Sequence, residues 1–376
     1  MTDTPHDLVD FGNGQPSSSL LPLDAIRTAA DHCLSRGDAA LLQYGDDQGD
    51  VDFRESLARF LTHRYATPVS AAHLMISAGV SQALDLVCTR FTRPGDTIFV
   101  EEPTYFLALE VFRDHGLQVV GIPIDHDGIR LDALQDALTR HCPALLYTIP
   151  SFQNPSGTTM SAARREQLAA VSRAHDLLIV ADEVYQLLDF GTAPPPPLAA
   201  YIRDARVLSL GSFSKICAPG LRLGWIQGAA PLLDHLMQSG VVHSGGGLNP
   251  FASGVVRSLL DLGLADAGLD VLLRVYAERS AVLCRALRDA LPMATFVEPR
   301  GGYFVWVQLP STISASRLLP TAVAEGVSYR AGALFSSVNG FARSLRLSFA
   351  HYDEAALVLG VQRLARAIAR YSTNAE

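Results

Sequence analysis

A single lysine stands out among the basic residues of this chain. The 376 residues include 30 lysines and arginines together, and Lys215 is the one lysine among them. A bias toward arginine would explain the missing lysines but not the exception. Arginine stays protonated in proteins, whereas a lysine amine can lose its proton and form an imine with a carbonyl group. The segment GSFSKICAPGLRLGW, residues 211–225, therefore indicates a site that needs a neutral amine.

Other polar residues follow short apolar runs that are typical of buried strands. In open α/β sheets, ligands bind at the carboxyl ends of the strands, so these residues are candidates for one site. A helix N-terminus attracts anions, and the segment SAGVSQALDLV predicts such a terminus near residue 80. The candidates are Val80, Ser81, Tyr105, Asn154, Asp182, Tyr185, Ser212, Ser214 and Lys215.

Two arginines lie inside apolar segments that predict strands. Arg222 occurs in LRLGW and Arg346 in SLRLSFA. Because a buried cation is costly without a partner, each arginine should meet an anion. For Arg346, that anion is either a protein carboxylate or a bound ligand.

Taken together, these motifs resemble the fold-type I pyridoxal-phosphate enzymes, specifically the class I/II aminotransferases. The similarity is strongest to the branch that includes 2-aminoadipate and kynurenine aminotransferases. The family motif S-x-S-K-x-x-x-P-G-x-R-x-G is matched by SFSKICAPGLRLG. Further matches at QYGDDQGDVDFRESLA, QNPSG, DEVY and RLSF follow in family order, so the resemblance covers nearly the whole chain.

The resemblance implies a role for each residue around the cofactor ring. Lys215 would form the imine and then move the substrate α-proton as general base and acid. Asp182 would pair with the pyridine nitrogen, although a helix N-cap is an equal reading of that residue alone. Tyr185 and Asn154 would donate hydrogen bonds to the phenolic oxygen, and Tyr105 would stack on the ring. Without the resemblance, Asn154 fits a turn and Tyr105 an ordinary core aromatic.

The resemblance also implies how phosphate and substrate are held. The backbone amides of Val80 and Ser81, the hydroxyls of Ser212 and Ser214, and the guanidinium of Arg222 would bind the phosphate. Arg346 would hold the substrate α-carboxylate, together with Asn154. Gly14 would keep the substrate entrance open. Tyr44 would reach the phosphate of a neighbouring subunit, which implies a homodimer with sites at the interface.

The elements that must position these residues predict an α/β fold with two domains. Apolar runs alternate with helical patterns between about 70 and 228, which is typical of a mainly parallel sheet sandwiched by helices. We expect a large cofactor-binding domain at 46–262. Residues 1–45 and 263–376 should form a smaller α+β domain that includes the N-terminal segment. The glycine-rich stretch 243–251 predicts a loop near the entrance.

The expected reaction is transfer of an amino group from an α-amino acid to a 2-oxo acid, with 2-oxoglutarate as the acceptor, by a ping-pong mechanism. A pyridoxal-phosphate-dependent lyase or an amino-acid-modifying biosynthetic enzyme remains an alternative, because the sequence does not show which α-bond aligns with the cofactor. Arg300 and Arg330 could bind a distal substrate carboxylate or be solvated surface residues.

Composition excludes several other classes. The formal net charge of −8 and the lack of a basic stripe argue against nucleic-acid or anionic-membrane partners, and against a DNA-binding regulator built on the same fold. The five cysteines form no C-x-x-C pair and the 11 histidines no H-x-x-x-H pair, so we expect neither a disulfide framework nor a metal site. The N-terminal residues lack the pattern of a signal peptide, which favours a cytoplasmic location.

Overall fold

The computed structural model describes residues 8–245 and 248–373. Its central strands are rich in valine, leucine and isoleucine, and every residue of several of them is buried, as strands covered on both faces require. The strands are β1 (Val9–Asp10), β2 (Leu74–Ser77), β3 (Thr97–Glu102), β4 (Gln118–Asp125), β5 (Gly128–Ile129), β6 (Leu145–Thr148), β7 (Leu178–Asp182), β8 (Val207–Ser212), β9 (Gly224–Gly228), β10 (Thr295–Phe296), β11 (Phe304–Gln308), β12 (Val327–Ser328), β13 (Arg330–Ala331) and β14 (Ser344–Ser348).

The helices begin at side-chain caps in several places. Asp50 accepts a 2.7 Å hydrogen bond from Phe53 N, and the Ser161 hydroxyl accepts one from Arg164 N. The helices are α1 (Leu23–Ser35), α2 (Val51–Tyr65), α3 (Val80–Phe91), α4 (Phe106–Asp114), α5 (Leu131–Arg140), α6 (Ala162–His175), α7 (Ala230–Met237), α8 (Gly240–Gly245), α9 (Pro250–Asp261), α10 (Leu264–Ala290), α11 (Ala315–Ala324) and α12 (Glu354–Thr373).

The predicted loop at 243–251 is only partly a loop. Residues 246 and 247 lie outside the described residues, but α8 ends at Gly245 and α9 begins at Pro250. The described parts of this stretch are therefore largely helical, with proline at the first position of α9, where its missing N–H costs nothing.

The largest sheet among the described residues has eight strands in the order β2-β9-β8-β7-β6-β3-β4-β5. Strands β3, β4, β6, β7 and β8 run parallel, which confirms the predicted α/β class with a mainly parallel sheet. Strand β9 runs antiparallel between β2 and β8, and β5 returns on β4 as a hairpin. Because the parallel strands share one carboxyl edge, the residues after them converge there.

A second sheet, of four antiparallel strands in the order β10-β11-β14-β13, carries Arg346 in its β14 strand. Helices α10, α11 and α12 pack together beside it. The N-terminal segment contacts both parts of the molecule, since β1 pairs with β12 and α1 packs on α9. This path carries residues 10–15 to the space between the two sheets. The domain boundaries at 45/46 and 262/263 stay a prediction.

Among the described residues, no helix has both the length and the apolar character needed to cross a bilayer.

Candidate active site

A cavity of about 410 Å³ lies at the carboxyl edge of the large sheet, facing the small sheet. The structure brings twelve of the thirteen sequence-predicted site residues to its wall. They are Gly14, Val80, Ser81, Tyr105, Asn154, Asp182, Tyr185, Ser212, Ser214, Lys215, Arg222 and Arg346.

Tyr44 is the exception. Its side chain is 83% exposed, and it lies beside a different cavity of about 290 Å³, with Asp50 and Arg257 among the lining residues. Within one chain, Tyr44 therefore does not join the other candidates.

Lys215 follows β8 and extends its amine into the larger cavity. Its Nζ donates a 2.7 Å hydrogen bond to Gly14 O and lies 5.2 Å from the centre of the Tyr303 ring. Burial lowers the pKa of Lys215 to about 8, and the positive charge of Arg346 adds to this effect, while Asp182 opposes it. A lowered pKa increases the fraction of neutral amine near neutral pH.

Asp182 is the last residue of β7, and its carboxyl group is buried. The Tyr147 hydroxyl donates a 2.7 Å hydrogen bond to Oδ2, whereas Oδ1 has no hydrogen-bond partner among the described residues. Burial raises the pKa of Asp182 to about 6, and the hydrogen bond from Tyr147 opposes the rise. A buried carboxylate oxygen without a hydrogen bond is costly. Oδ1 is therefore well placed to accept a hydrogen bond from a donor group of a bound ligand.

Arg346 is 3% exposed and is held by neutral groups. Its Nη1 donates to Asn154 Oδ1 over 2.8 Å, and its Nη2 donates to Gly12 O over 3.0 Å. The guanidinium carbon lies 3.9 Å from the centre of the Phe304 ring, and no group within residues 8–245 and 248–373 forms a hydrogen bond with Nε. Burial lowers the pKa of Arg346 to about 10. No protein carboxylate pairs with Arg346 in the described part of the chain, so its charge is available to a bound anion.

Two tyrosines supply hydroxyl groups to the wall of the cavity. Burial raises the pKa of Tyr105 to about 12 and raises the pKa of Tyr185 further, although the nearby Arg346 opposes both shifts. Both hydroxyls are therefore protonated at physiological pH and available as hydrogen-bond donors.

The opposite end of the cavity is suited to an anion. Val80 and Ser81 open α3 after Gly79, which has the left-handed φ of 86° that favours glycine. Ser214 N donates a 3.0 Å hydrogen bond to Ser212 Oγ, which in turn donates to Ser214 Oγ over 2.9 Å, so the two hydroxyls lie side by side.

The interpretation of Arg222 as a buried strand residue was wrong. Strand β9 begins at Gly224, and Arg222 precedes it with a left-handed φ of 46° and an exposed side chain. Its guanidinium donates 3.3 Å hydrogen bonds to the carbonyl oxygens of Pro219 and Ala78. Both acceptors are neutral, and Arg222 forms no ion pair with any carboxylate that the structure describes. Arg222 nevertheless lines the cavity beside the start of α3, since a Cβ at Gly79 would lie 3.0 Å from its Nη2.

Several lining residues were missed by the sequence analysis or left undecided. Asp10 and Gly12 come from the N-terminal segment, and Phe304 from β11. Arg330 also lines the cavity, whereas Arg300 is exposed and lies beside a separate surface cavity. The glycines of FGNG were the available signal for the N-terminal contribution, because close backbone approach requires residues without side chains.

The chain is similar to known proteins over nearly its whole length. The model of the family described as aminotransferase class I and II matches residues 6–364. An aromatic-amino-acid aminotransferase 1 from Thermococcus litoralis is 33% identical over 96% of this chain and 88% of the relative.

Two crystal structures are similar over almost the whole chain. One is LysN, the alpha-aminoadipate aminotransferase of Thermus thermophilus, complexed with N-(5'-phosphopyridoxyl)-L-leucine: TM-score 0.89, 32% identity, 98% of this chain and 94% of that one. The other is the kynurenine aminotransferase of Pyrococcus horikoshii: TM-score 0.91, 31% identity, 98% of this chain and 92% of that one. The chain therefore belongs to the class I and II aminotransferases and is a pyridoxal-phosphate-dependent transaminase of fold type I.

Proposed function

We propose that this aminotransferase accepts an amino group from an α-amino acid and passes it to 2-oxoglutarate, with both half-reactions at the one cavity and hence ping-pong kinetics. The observation that carries the proposal is the convergence of three groups around one cavity: a lysine amine, a buried carboxyl group, and an arginine that pairs with no carboxylate of the described residues. Transamination needs one group to move a proton, one to support the cofactor and one to hold the substrate.

The residues present fit the cofactor. The unpartnered Oδ1 of Asp182 would accept from the protonated ring nitrogen, and Arg222, Ser212, Ser214 and the start of α3 would hold the phosphate. Asn154 and Tyr185 would donate to the phenolic oxygen, and Tyr105 would stack on the ring. When bound, pyridoxal phosphate withdraws electrons from the substrate α-carbon, so that the α-proton becomes acidic.

Lys215 and Arg346 would act directly on the substrate. The Nζ of Lys215, neutral above its lowered pKa, would take the α-proton from the substrate as a base and later give a proton back as an acid. Arg346 would bind the α-carboxylate as a bidentate pair, with its Asn154 contact and the Phe304 ring fixing the plane of the guanidinium. When Arg346 holds the α-carboxylate in place, loss of the α-proton is favoured over loss of carbon dioxide.

The test is a panel of amino acids mixed singly with the holoenzyme, following conversion of the cofactor to its amine form by absorbance. We expect at least one amino acid to convert the cofactor without any oxo acid, and 2-oxoglutarate to reverse the change. Release of ammonia in the absence of an oxo acid would instead assign the lyase reaction. A cofactor that no amino acid converts would refute the proposed function.

The uptake of an aldehyde should depend on pH through Lys215. Its amine reacts when neutral, so the rate at which cofactor-free protein takes up pyridoxal should rise with pH through about 8 and level off above it. Pyridoxal is used in place of pyridoxal phosphate because it has no phosphate group, whose own titration would otherwise contribute to the pH dependence. Arg346→Gln should move the midpoint upward, because it removes a positive charge, while the exposed Arg300→Gln should not. A wild-type midpoint near the ordinary lysine value of about 10.4 would contradict this reading.

A side chain at position 14 should displace the ring of Phe304. A Cβ there would lie 3.1 Å from the Phe304 ring, which packs on the guanidinium of Arg346. We expect Gly14→Ala to lower kcat/KM by about tenfold, because small misplacements of a positioning group are costly. Gly268→Ala in α10, where a Cβ meets open space, is the matched control and should leave kcat/KM unchanged. Equal kcat/KM values for the two variants would show that the site accommodates a side chain at position 14.

The proposal includes a homodimer in which Tyr44 reaches the phosphate of the other subunit. Large apolar side chains are exposed on α1, on α8, on α9, which packs on α1, and on the 39–42 turn, which packs on α9 and precedes Tyr44 in the chain. Exposed apolar side chains of this size are typical of a protein interface when they lie together. The exposed fractions are 68% for Leu23, 55% for Leu34, 73% for Leu42, 71% for Val241 and 47% for Phe251.

We expect sedimentation equilibrium to give a dimer, and Tyr44→Phe to remain a dimer while binding the cofactor about tenfold more weakly, the cost of one charge-assisted hydrogen bond. A monomeric wild type, or a Tyr44→Phe protein with unchanged cofactor affinity, would contradict the shared site.

The proposal also includes a cytoplasmic location, in which the five free cysteines would stay reduced.

A further inference from the structure

Two arginines face each other across neighbouring strands inside the cavity. Strands β13 and β14 pair antiparallel, and the register places Arg330 directly opposite Arg346. Side chains opposite each other in a sheet lie on the same face with Cβ atoms about 5 Å apart, and like charges in that position destabilise the sheet. Both side chains line the cavity. The fold therefore brings two positive charges together at one place on the cavity wall.

The guanidinium of Arg330 makes no direct ion pair within the part of the chain that the structure describes, although the carboxylate of Asp10 lies nearby, beside Gly12. Its guanidinium packs on Gly12, where a Cβ would lie 2.8 Å from Arg330 Cζ, so glycine at position 12 makes room for this side chain. Asp10 is the nearby acidic residue of the cavity, and its Oδ1 accepts a 2.9 Å hydrogen bond from Gly12 N. Within residues 8–245 and 248–373, neither a hydrogen bond nor an ion pair joins the Arg330 guanidinium to another group.

The proposed function gives roles to the other cations of the cavity but none to Arg330. Arg222 would serve the phosphate, Lys215 the proton transfer and Arg346 the α-carboxylate. Arg330 stands one strand away from Arg346, so a second anion held there must be a few bonds from the α-carboxylate. The side chains of Phe106, Leu107 and Phe304 line the same cavity and would cover an aliphatic linker between the two anions.

We propose that Arg330 is a specificity-determining residue that binds a second carboxylate of the substrate, so that the preferred substrates are dicarboxylic amino acids and their 2-oxo acids. This inference rests on the proposed function for the role of Arg346. A guanidinium binds a carboxylate bidentately and gains more from it than from a neutral amide. The enzyme should therefore discriminate between glutamate and glutamine, which differ in that one group.

The experiment compares the two substrates in single half-reactions of the holoenzyme. Arg330→Gln should lower the ratio of kcat/KM for glutamate to that for glutamine by about 10- to 100-fold, as loss of a hydrogen-bonded charge pair predicts. Arg330→Met, of similar length, is the second variant. Both should be at least as stable as the wild type, because they remove a repulsive pair. Arg300→Gln, outside the cavity, is the matched control and should leave the ratio unchanged.

A binding measurement separates this inference from the proposed function. Titration calorimetry of the holoenzyme with glutarate should show about tenfold weaker binding in Arg330→Gln, while binding of valerate, with one carboxylate, stays the same. If no amino acid converts the wild-type cofactor, the proposed function fails, and the glutarate result still decides the role of Arg330. The inference would be overturned if Arg330→Gln changed neither the ratio of kcat/KM values nor the affinity for glutarate. It would also be overturned if Arg330→Gln lowered kcat/KM equally for glutamate and glutamine, a result that would place Arg330 on the α-carboxylate.

Discussion

Lys215→Ala is expected to lower the rate of transamination by about 10⁴-fold or more, the largest effect of any single substitution considered. The variant loses both the amine that captures the cofactor and the base that moves the α-proton. The chain offers no substitute, because Lys215 is its one lysine. Lys215→Arg should be equally inactive, since arginine keeps the positive charge but cannot lose its proton.

Chemical rescue distinguishes this loss from a folding defect. Added methylamine should restore part of the rate of Lys215→Ala, because the space left by the side chain admits a small amine, and none of the rate of Lys215→Arg. Circular dichroism should show both variants folded. A Lys215→Ala protein within tenfold of the wild-type rate would contradict the assigned role.

The second large effect is expected at Asp182. Asp182→Asn keeps the shape of the side chain and its contact with Tyr147 but removes the negative charge opposite the ring nitrogen. We expect kcat to fall by about 10²- to 10³-fold, the range found when a preorganised electrostatic partner is removed. The measurement is the rate of a single half-reaction at saturating amino acid.

Tyr147→Phe is the matched control for Asp182. It removes the hydrogen bond to Oδ2 but leaves the carboxyl group, so the pKa of Asp182 should rise above about 6 and kcat should fall by less than tenfold. Since a group with a raised pKa is ionised only above it, the Tyr147→Phe enzyme should lose activity at a higher pH than the wild type as the solution is acidified. Asp182→Asn with kcat near that of Tyr147→Phe would show that the charge has no part in the reaction.

Much of the cavity could be predicted from the sequence because of one geometric rule. Asn154, Asp182 and Lys215 each follow an apolar run, and parallel strands bring their carboxyl ends to one edge. Arg346 was predicted from a single cation within an apolar strand, and it does lie buried in β14.

The errors have a different physical origin. The alternation in LRLGW is typical of a strand, yet the chain makes a short turn at Pro219–Leu221 and takes a left-handed residue at Arg222 before β9 begins. Local pattern does not distinguish the first residues of a strand from the turn that precedes them. Asp10 and Gly12 reach the cavity because β1 pairs with β12 more than 300 positions along the chain, a contact that no local pattern encodes.

The most direct test of the account is reduction of the purified holoenzyme with borohydride followed by peptide mapping. The account predicts one pyridoxyl group on Lys215, within residues 211–225. A protein that binds the cofactor but carries no label, or carries it on any other peptide, would contradict the claim that the amine of Lys215 is the attachment point.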